Sequence, residues 1–175
     1  MLTRMASAAK LVGLTVALVL SGCKGAEVPA ELSVRDPALR VSLRLRARGA
    51  QVYRCEAAKT SAPPSVWTLV GPDATLYDDR DAPVGKHSAG PTWELTGDGS
   101  KVTGVVQAMA VVAADASPWL LLAVATNAGK GALASTRFIQ RIETRGGVAP
   151  SAGCDPTHEG SETRVDYTAT YVFWG

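Results

Sequence analysis

The sequence predicts an all-β domain, a single antiparallel β-sandwich or barrel of about eight or nine strands, preceded by a cleaved signal helix. Apolar and polar residues alternate with a period of two in several short segments. Glycine and proline, 17 and 10 of the 175 residues, separate these segments. Beyond residue 22, no segment has the 3.6-residue periodicity of an amphipathic helix.

The first 22 residues have the features of an export signal. Arg4 and Lys10 make a basic start, and Leu11–Leu20 is almost entirely apolar. This run is too short to remain as a transmembrane helix, which needs about 20 apolar residues. Leu20-Ser21-Gly22-Cys23 follows, and it resembles, position for position, the box at which bacterial prolipoproteins are acylated and cut.

The resemblance implies that Cys23 carries a lipid and holds the mature chain at a membrane in the cell envelope. Two or three acyl chains such as palmitate anchor a protein stably, whereas one does so only marginally. Lys24, in place of Asp at the second mature position, implies the outer membrane facing the periplasm if the source has two membranes. The predicted organisation is residues 1–22 as signal peptide, 23–40 as lipidated N-terminus and tether, and 41–175 as β-rich domain.

Removal of the signal changes the charge balance. The whole chain has 18 basic and 16 acidic residues. Residues 1–22 hold two of the basic residues and no acidic one, so the mature chain has 16 of each. With a formal net charge of zero, the mature chain has no excess of positive charge strong enough to indicate binding to nucleic acid, so we do not expect a nucleic-acid partner.

Two cysteines remain in the mature chain besides Cys23. Exported proteins mature in oxidising compartments, so Cys55 and Cys154 predict a structural disulfide. A redox or metal-binding pair is the alternative. The sequence disfavours it because there is no Cys-x-x-Cys spacing and no nearby histidine cluster.

The first predicted strand begins at Val41. Val41, Leu43, Leu45 and Ala47 share one face, and the other face carries Ser42, Arg44, Arg46 and Arg48. Gln51–Cys55 is a second strand, or the continuation of the first beyond a bulge. The arginine row could meet anionic headgroups or a polysaccharide, but a solvated strand face opposite acidic residues is the favoured interpretation.

The remaining strands are separated by turn signals. Gly71-Pro72-Asp73 predicts a turn, and Gly97–Ser100 predicts a hairpin. Trp119–Ala125 is apolar on both faces and predicts a fully covered central strand. The other predicted strands are Val66–Val70, Ala74–Tyr77, Thr92–Thr96, Lys101–Val112, Ser135–Glu143 and the aromatic-rich Val165–Trp174.

Several short blocks occur in a fixed order along the mature chain. The most specific is His87-Ser88-Ala89-Gly90-Pro91-Thr92-Trp93-Glu94. Others are Tyr53-Arg54-Cys55, Gly71-Pro72-Asp73-Ala74, Asp98-Gly99-Ser100, Pro118-Trp119-Leu120-Leu121, Ile139-Gln140-Arg141, Gly153-Cys154-Asp155 and Tyr167-Thr168-Ala169-Thr170-Tyr171. From about Val28 to Phe173 they resemble the family named domain of unknown function 3455, found in bacteria and fungi. The resemblance implies no activity, since the family is defined without one.

Some fungal members of that family carry a malate dehydrogenase label, which the residues of this chain do not support. Gly97-x-Gly99 lacks the third glycine of a dinucleotide-binding loop. It also lies in a predicted hairpin, whereas such a loop joins a strand to a helix in a parallel sheet.

The predicted site is centred on His87, in a glycine- and proline-containing segment that we interpret as a loop from Gly85 to Pro91. We predict binding residues at His87, Trp93 and Glu94. Trp93 could stack on a sugar or an apolar ligand. His87 and Glu94 are the candidates for catalysis, as a base and its orienting acid, against the alternative of a structural histidine that shapes the loop.

Other kinds of site find no support. There is no His-x-His, His-Glu-x-x-His or EF-hand spacing for a metal, and no Gly-x-Ser-x-Gly nucleophile elbow. Ala128-Gly129-Lys130-Gly131 lacks the upstream glycine of a phosphate loop. We therefore expect no metal and no cofactor.

The sequence favours a non-enzymatic envelope lipoprotein, held at the membrane by the lipid on Cys23, with a β-rich domain that binds a small molecule, a glycan or a protein. One alternative is a hydrolase-type enzyme that uses His87 and an acid. The other is a structural envelope protein with no ligand.

Overall fold

A computed structural model describes residues 27–59 and 62–175. Their eight antiparallel strands form one sheet that closes into a barrel, each strand pairing with its neighbours in the sequence and the last with the first. The all-β prediction is confirmed, while the signal peptide and Cys23 lie outside the described residues. The strands are β1 (Val41–Ala57), β2 (Ser65–Tyr77), β3 (Pro83–Ser88), β4 (Thr92–Leu95), β5 (Lys101–Ala110), β6 (Trp119–Ala128), β7 (Phe138–Gly146) and β8 (Glu162–Trp174).

Helical structure in the described part of the chain is limited to a short 3-10 helix, Ala30–Leu32. None of the helical structure described there has the length and apolar character needed to cross a membrane.

The period-two pattern of β1 and β8 sorts their side chains between the barrel interior and its outer face. Leu45 and Ala47 of β1 are buried inside, next to Tyr171 and Phe173 of β8, which are fully buried. The alternating arginines of β1 lie on the opposite, outer face. There Arg46 and Arg48 form ion pairs with Asp81 at 3.3 and 2.7 Å, in agreement with a solvated strand face.

The predicted turn at Gly71-Pro72-Asp73 is wrong, because β2 runs through it without interruption. The register shifts between Val52 and Tyr53 of β1, opposite this point, which marks a bulge. A bulge lets a strand accept proline, which has no N–H to donate to the ladder. Gly71 has φ +149°, and a Cβ there would lie 2.7 Å from the Cβ of Ala89, so only glycine fits.

The two ends of the barrel differ. At one end the β6–β7 connection folds inward, and its Leu133 is fully buried in the core. Asn127 holds this plug by donating from Nδ2 to the carbonyls of Leu133 and Thr136 at 3.0 and 3.1 Å. The other end is bounded by the β1–β2, β3–β4, β5–β6 and β7–β8 connections, and it is here that the interior opens.

The predicted disulfide is confirmed. Cys55 near the end of β1 is bonded to Cys154, 99 residues later in the β7–β8 connection. Trp67 fastens the same connection by donating from Nε1 to the Ala152 carbonyl at 3.0 Å, and Tyr53 donates to the Gly147 carbonyl at 2.7 Å. The connection is therefore fixed beside the open end.

The segment that precedes β1 packs on the outside of the barrel. Leu32 is fully buried against a second apolar cluster, which includes Trp119 and Val172. Gln140 donates from Nε2 to the Leu32 carbonyl at 2.7 Å and accepts from Trp174 Nε1 at 2.8 Å. The first half of β6, residues 119–122, is thus covered by the core inside and by this segment outside, whereas the strand is exposed from Ala125 onward.

Candidate ligand-binding site

His87 and Trp93 are paired residues of the β3–β4 hairpin, and both face the barrel interior. They are 3% and 1% exposed. His87 lies in strand β3, so the loop from Gly85 to Pro91 is wrong as predicted. Gly85 is needed because a Cβ there would clash with the Glu94 carbonyl of the paired strand. Gly85 therefore allows close pairing of the two strands and does not mark a flexible loop.

The ring of His87 is held on three sides. It stacks on Trp93, with centroids 4.3 Å apart and planes 12° apart, and meets the ring of Tyr171 edge-on at 4.8 Å. Its Nδ1 lies 2.8 Å from the Thr92 carbonyl oxygen. Because a carbonyl only accepts, Nδ1 carries the proton, and Nε2 is left as an acceptor.

Burial lowers the pKa of His87 to about 3; the bond to Thr92 opposes this shift, and the charge of Arg141 adds to it. The imidazole is therefore neutral at neutral pH.

The structure does not bring Glu94 to His87. In β4 the side chains alternate, so Trp93 faces inward while Glu94 faces solvent and pairs with Lys101 at 2.7 Å. The group that orients the imidazole is a backbone carbonyl, not the predicted acid. Within the described residues, no group of three or more His, Cys, Asp or Glu side chains is placed to hold a metal ion.

A pocket of about 350 Å³ opens beside His87 and Trp93, at the unplugged end of the barrel. Its floor is aromatic and its walls are mostly aliphatic. Met109 and Leu69 at its rim are 61% and 50% exposed. The described residues that line it are Gln51, Leu69, Pro72, His87, Pro91, Trp93, Val106, Met109, Pro118, Leu120, Leu122, Arg141 and Tyr171.

A larger depression, of about 600 Å³, lies beside Arg48 and Arg145 and is open to solvent. Tyr167 is the one aromatic residue among the described residues that line it, whereas the rings of Trp93 and Tyr171 both contact that of His87. The enclosed pocket in the lumen is the better candidate for a binding site.

Arg141 and Gln51 line the pocket and were not predicted as site residues. Arg141 lies on β7 opposite Tyr171, and its Nε and Nη2 donate to the Pro118 carbonyl at 3.0 and 2.8 Å. Gln51 is 1% exposed, and neither atom of its side-chain amide has a hydrogen-bond partner in the described part of the chain. The two-residue alternation of strand faces could have identified both residues. Arg141 is two residues from the core residue Ile139 and so shares its face, and Gln51 lies on the same inward face of β1 as Leu45 and Ala47.

Comparison with known proteins identifies the family but no characterised relative. Neither the curated proteins nor the solved structures contain a match to this chain. Residues 36–175 match the family model described as "Protein of unknown function (DUF3455)", as the sequence blocks indicate. The match covers most of the chain, which therefore belongs to this family.

Proposed function

We propose that this protein is a membrane-anchored envelope lipoprotein whose barrel binds one small, largely apolar molecule in its open end. The observation that carries the proposal is the pocket of about 350 Å³ beside His87 and Trp93. Sites for small molecules occupy about 300–1,000 Å³ and combine apolar walls with a few polar groups. An eight-stranded barrel is wide enough either to be filled by side chains or to hold one small ligand.

The exposed rim supports binding of an apolar molecule. Large apolar side chains at Leu69, Val106 and Met109 border the pocket and are exposed to solvent. Water around a concave apolar surface is released when an apolar molecule enters, which favours binding by about 25 cal/mol for each Å² that is covered. The flat stack of His87 on Trp93 offers a planar surface at the floor.

The hydrolase alternative finds little support in the pocket. Of the described residues that line it, none is Ser, Thr, Cys, Asp or Glu. Burial raises the pKa of Tyr171, so its hydroxyl is not a ready nucleophile. Among the described residues that line the pocket, none is an acid or a ready nucleophile that could act with Nε2 of His87, so the arrangement favours binding over catalysis.

A matched pair of variants tests binding in the lumen. Val106 lines the mouth and is 44% exposed, while its neighbour Val105 is 59% exposed and does not line the pocket. The protein is the mature chain from residue 23 onward, with Cys23→Ser, exported through an ordinary secretory signal. The probe is N-phenyl-1-naphthylamine, an uncharged dye whose emission rises in apolar surroundings.

We expect saturable dye binding by the parent and by Val105→Trp, and binding weaker by at least about tenfold in Val106→Trp, whose indole fills the mouth. Circular dichroism establishes that both variants are folded. Equal dye binding by the two tryptophan variants, or none by the parent, contradicts the proposal and favours a structural protein with no ligand.

The anchor is tested separately on the full-length chain. Intact-mass measurement of protein from the membrane fraction should show two or three acyl chains on Cys23, and Cys23→Ser should abolish both the added mass and the membrane association. Wild-type protein without the added mass would contradict lipidation.

A further inference from the structure

Arg141 is a charged residue in the barrel interior. It follows Ile139 on the inward face of β7, is partly buried, and lies opposite Tyr171 and Leu120 on the neighbouring strands. Among the described residues no carboxylate oxygen lies within 4.0 Å of its guanidinium. The ion pairs in the described part of the chain all join other side chains, which are 43–68% exposed on the outer surface.

The charge of Arg141 is therefore not balanced within the pocket. Its two hydrogen bonds to the Pro118 carbonyl use part of a guanidinium that has five donor hydrogens. Its field reaches the surrounding rings. It contributes to the lowered pKa of His87 and opposes the rise that burial causes in the pKa of Tyr53 and Tyr171. Taking a cation out of water is costly unless a counter-ion and hydrogen bonds accompany it.

Two further polar side chains of the pocket lack partners. Gln51 Nε2 and Oε1 and Trp93 Nε1 are buried without a hydrogen bond in the described part of the chain. An unsatisfied buried polar group destabilises the fold, and a polar group on a ligand would recover the missing hydrogen bond. Gln51, Trp93 and Arg141 all line the same pocket, so one bound molecule can meet all three.

We propose that the ligand is an amphiphile with a single carboxylate, held by the guanidinium of Arg141, and with an apolar body that lies against Trp93, Leu120 and Leu122. This inference rests on the proposed function, since it assumes that the lumen binds an apolar molecule. A guanidinium matches the geometry of a carboxylate and balances one negative charge. His87 is neutral and the other lining residues carry no charge, so a monoanion fits better than a phosphate dianion.

Three probes of equal chain length separate the head groups: decanoate, 1-decanol and decyl phosphate. Isothermal titration calorimetry uses the Cys23→Ser mature chain, alone and with Arg141→Met, Arg141→Lys or Arg44→Met. Arg44 is exposed on the outer face of β1 and provides a matched arginine control.

We expect one site that binds decanoate at least about tenfold more tightly than decanol, because a hydrogen bond to a charged group is the stronger kind. Arg141→Met should weaken decanoate about ten- to hundredfold and leave decanol unchanged. Arg141→Lys should restore part of the loss, and Arg44→Met should bind like the parent.

The outcomes that overturn the inference differ from those that overturn the proposed function. Equal affinity of the parent for decanoate and decanol would show an apolar site without an anion subsite. This result overturns the inference even if an Arg141 variant does not fold. Tighter binding of decyl phosphate than of decanoate overturns the carboxylate assignment. Absence of binding by decanoate, decanol and the uncharged dye overturns the proposed function itself.

Discussion

The buried imidazole of His87 makes the stability of the barrel depend on pH. Its pKa is about 3 in the folded protein and 6.5 in a solvated chain. Between these values the unfolded chain binds a proton that the folded protein does not, so protonation favours unfolding. The stabilisation that the neutral His87 imidazole contributes is fully present above about pH 6.5 and is lost as the pH falls toward 3.

The magnitude follows from the two pKa values. One pKa unit corresponds to 1.36 kcal/mol, so lowering the pH from about 7 to about 4.5 removes about 2.5 kcal/mol of the unfolding free energy through His87 alone. That is a large share of the 5–15 kcal/mol that is typical of a folded domain.

The assay is urea unfolding of the mature chain and of His87→Asn at the two pH values, followed by tryptophan fluorescence. The asparagine amide can donate to the Thr92 carbonyl in place of Nδ1, and it does not titrate. His87→Asn loses the stacking on Trp93, so it should be less stable at both pH values. Between about pH 7 and about pH 4.5, the unfolding free energy of His87→Asn should fall by about 2.5 kcal/mol less than that of the parent.

Two carboxyl groups also make the unfolding free energy depend on pH. Their effects are the same in the parent and in His87→Asn, and so cancel in the difference between them. Hydrogen bonds, first from the Ser100 hydroxyl, lower the pKa of Asp98, and bonds from Thr157 and His158 lower the pKa of Asp155 to about 2. Each stabilises the fold above its unfolded pKa and loses that effect as the pH falls, equally in parent and variant. If His87→Asn and the parent lose the same free energy, the account of a buried neutral histidine is refuted.

Three further predictions concern the frame around the pocket. Replacing Cys55 and Cys154 together by Ser should lower the unfolding free energy by about 2–5 kcal/mol, measured by urea unfolding, because the bond closes a long loop; an unchanged midpoint would contradict it. Leu133→Ala should cost about 2–5 kcal/mol without affecting dye binding, since Leu133 plugs the far end; loss of dye binding would argue against two distinct ends. Gln140→Ala should increase amide hydrogen exchange around Leu32, whose carbonyl it holds, while the barrel strands stay protected.

Strand faces were the most predictable part of the fold. The alternation in β1 and β8 assigns each side chain to the inside or the outside, because the two faces of a strand repeat every second residue. The disulfide was also predictable, since the predicted lipidation of Cys23 leaves Cys55 and Cys154 as the remaining pair. Neither inference required knowledge of strand order.

The geometry of the site was harder to predict because it depends on pairing across the hairpin. A tight turn at residues 89–91 pairs His87 with Trp93, and this puts Glu94 opposite Lys86 on the outer face. Their closeness to His87 in the sequence could not show that Trp93 contacts its ring while Glu94 points away from it. The bulge that carries Pro72 through β2 was likewise hidden, because proline and glycine together also signal a turn.

Arg141 escaped sequence analysis for a different reason. Charged residues in a strand normally face solvent, as Arg46 and Arg48 do, so an inward arginine contradicts the usual pattern. The closed barrel places it across from Tyr171, with no acid paired to it among residues 27–59 and 62–175. Such a departure from the usual pattern is expected where binding, and not stability, decides the residue.

A crystal structure of the mature chain grown with decanoate would test whether the lumen binds a carboxylate at Arg141. We expect the alkyl chain in the lumen against Trp93 and Leu120, and a carboxylate oxygen about 3 Å from the guanidinium of Arg141. An empty lumen, or decanoate bound only on the outer face of the barrel, would contradict it.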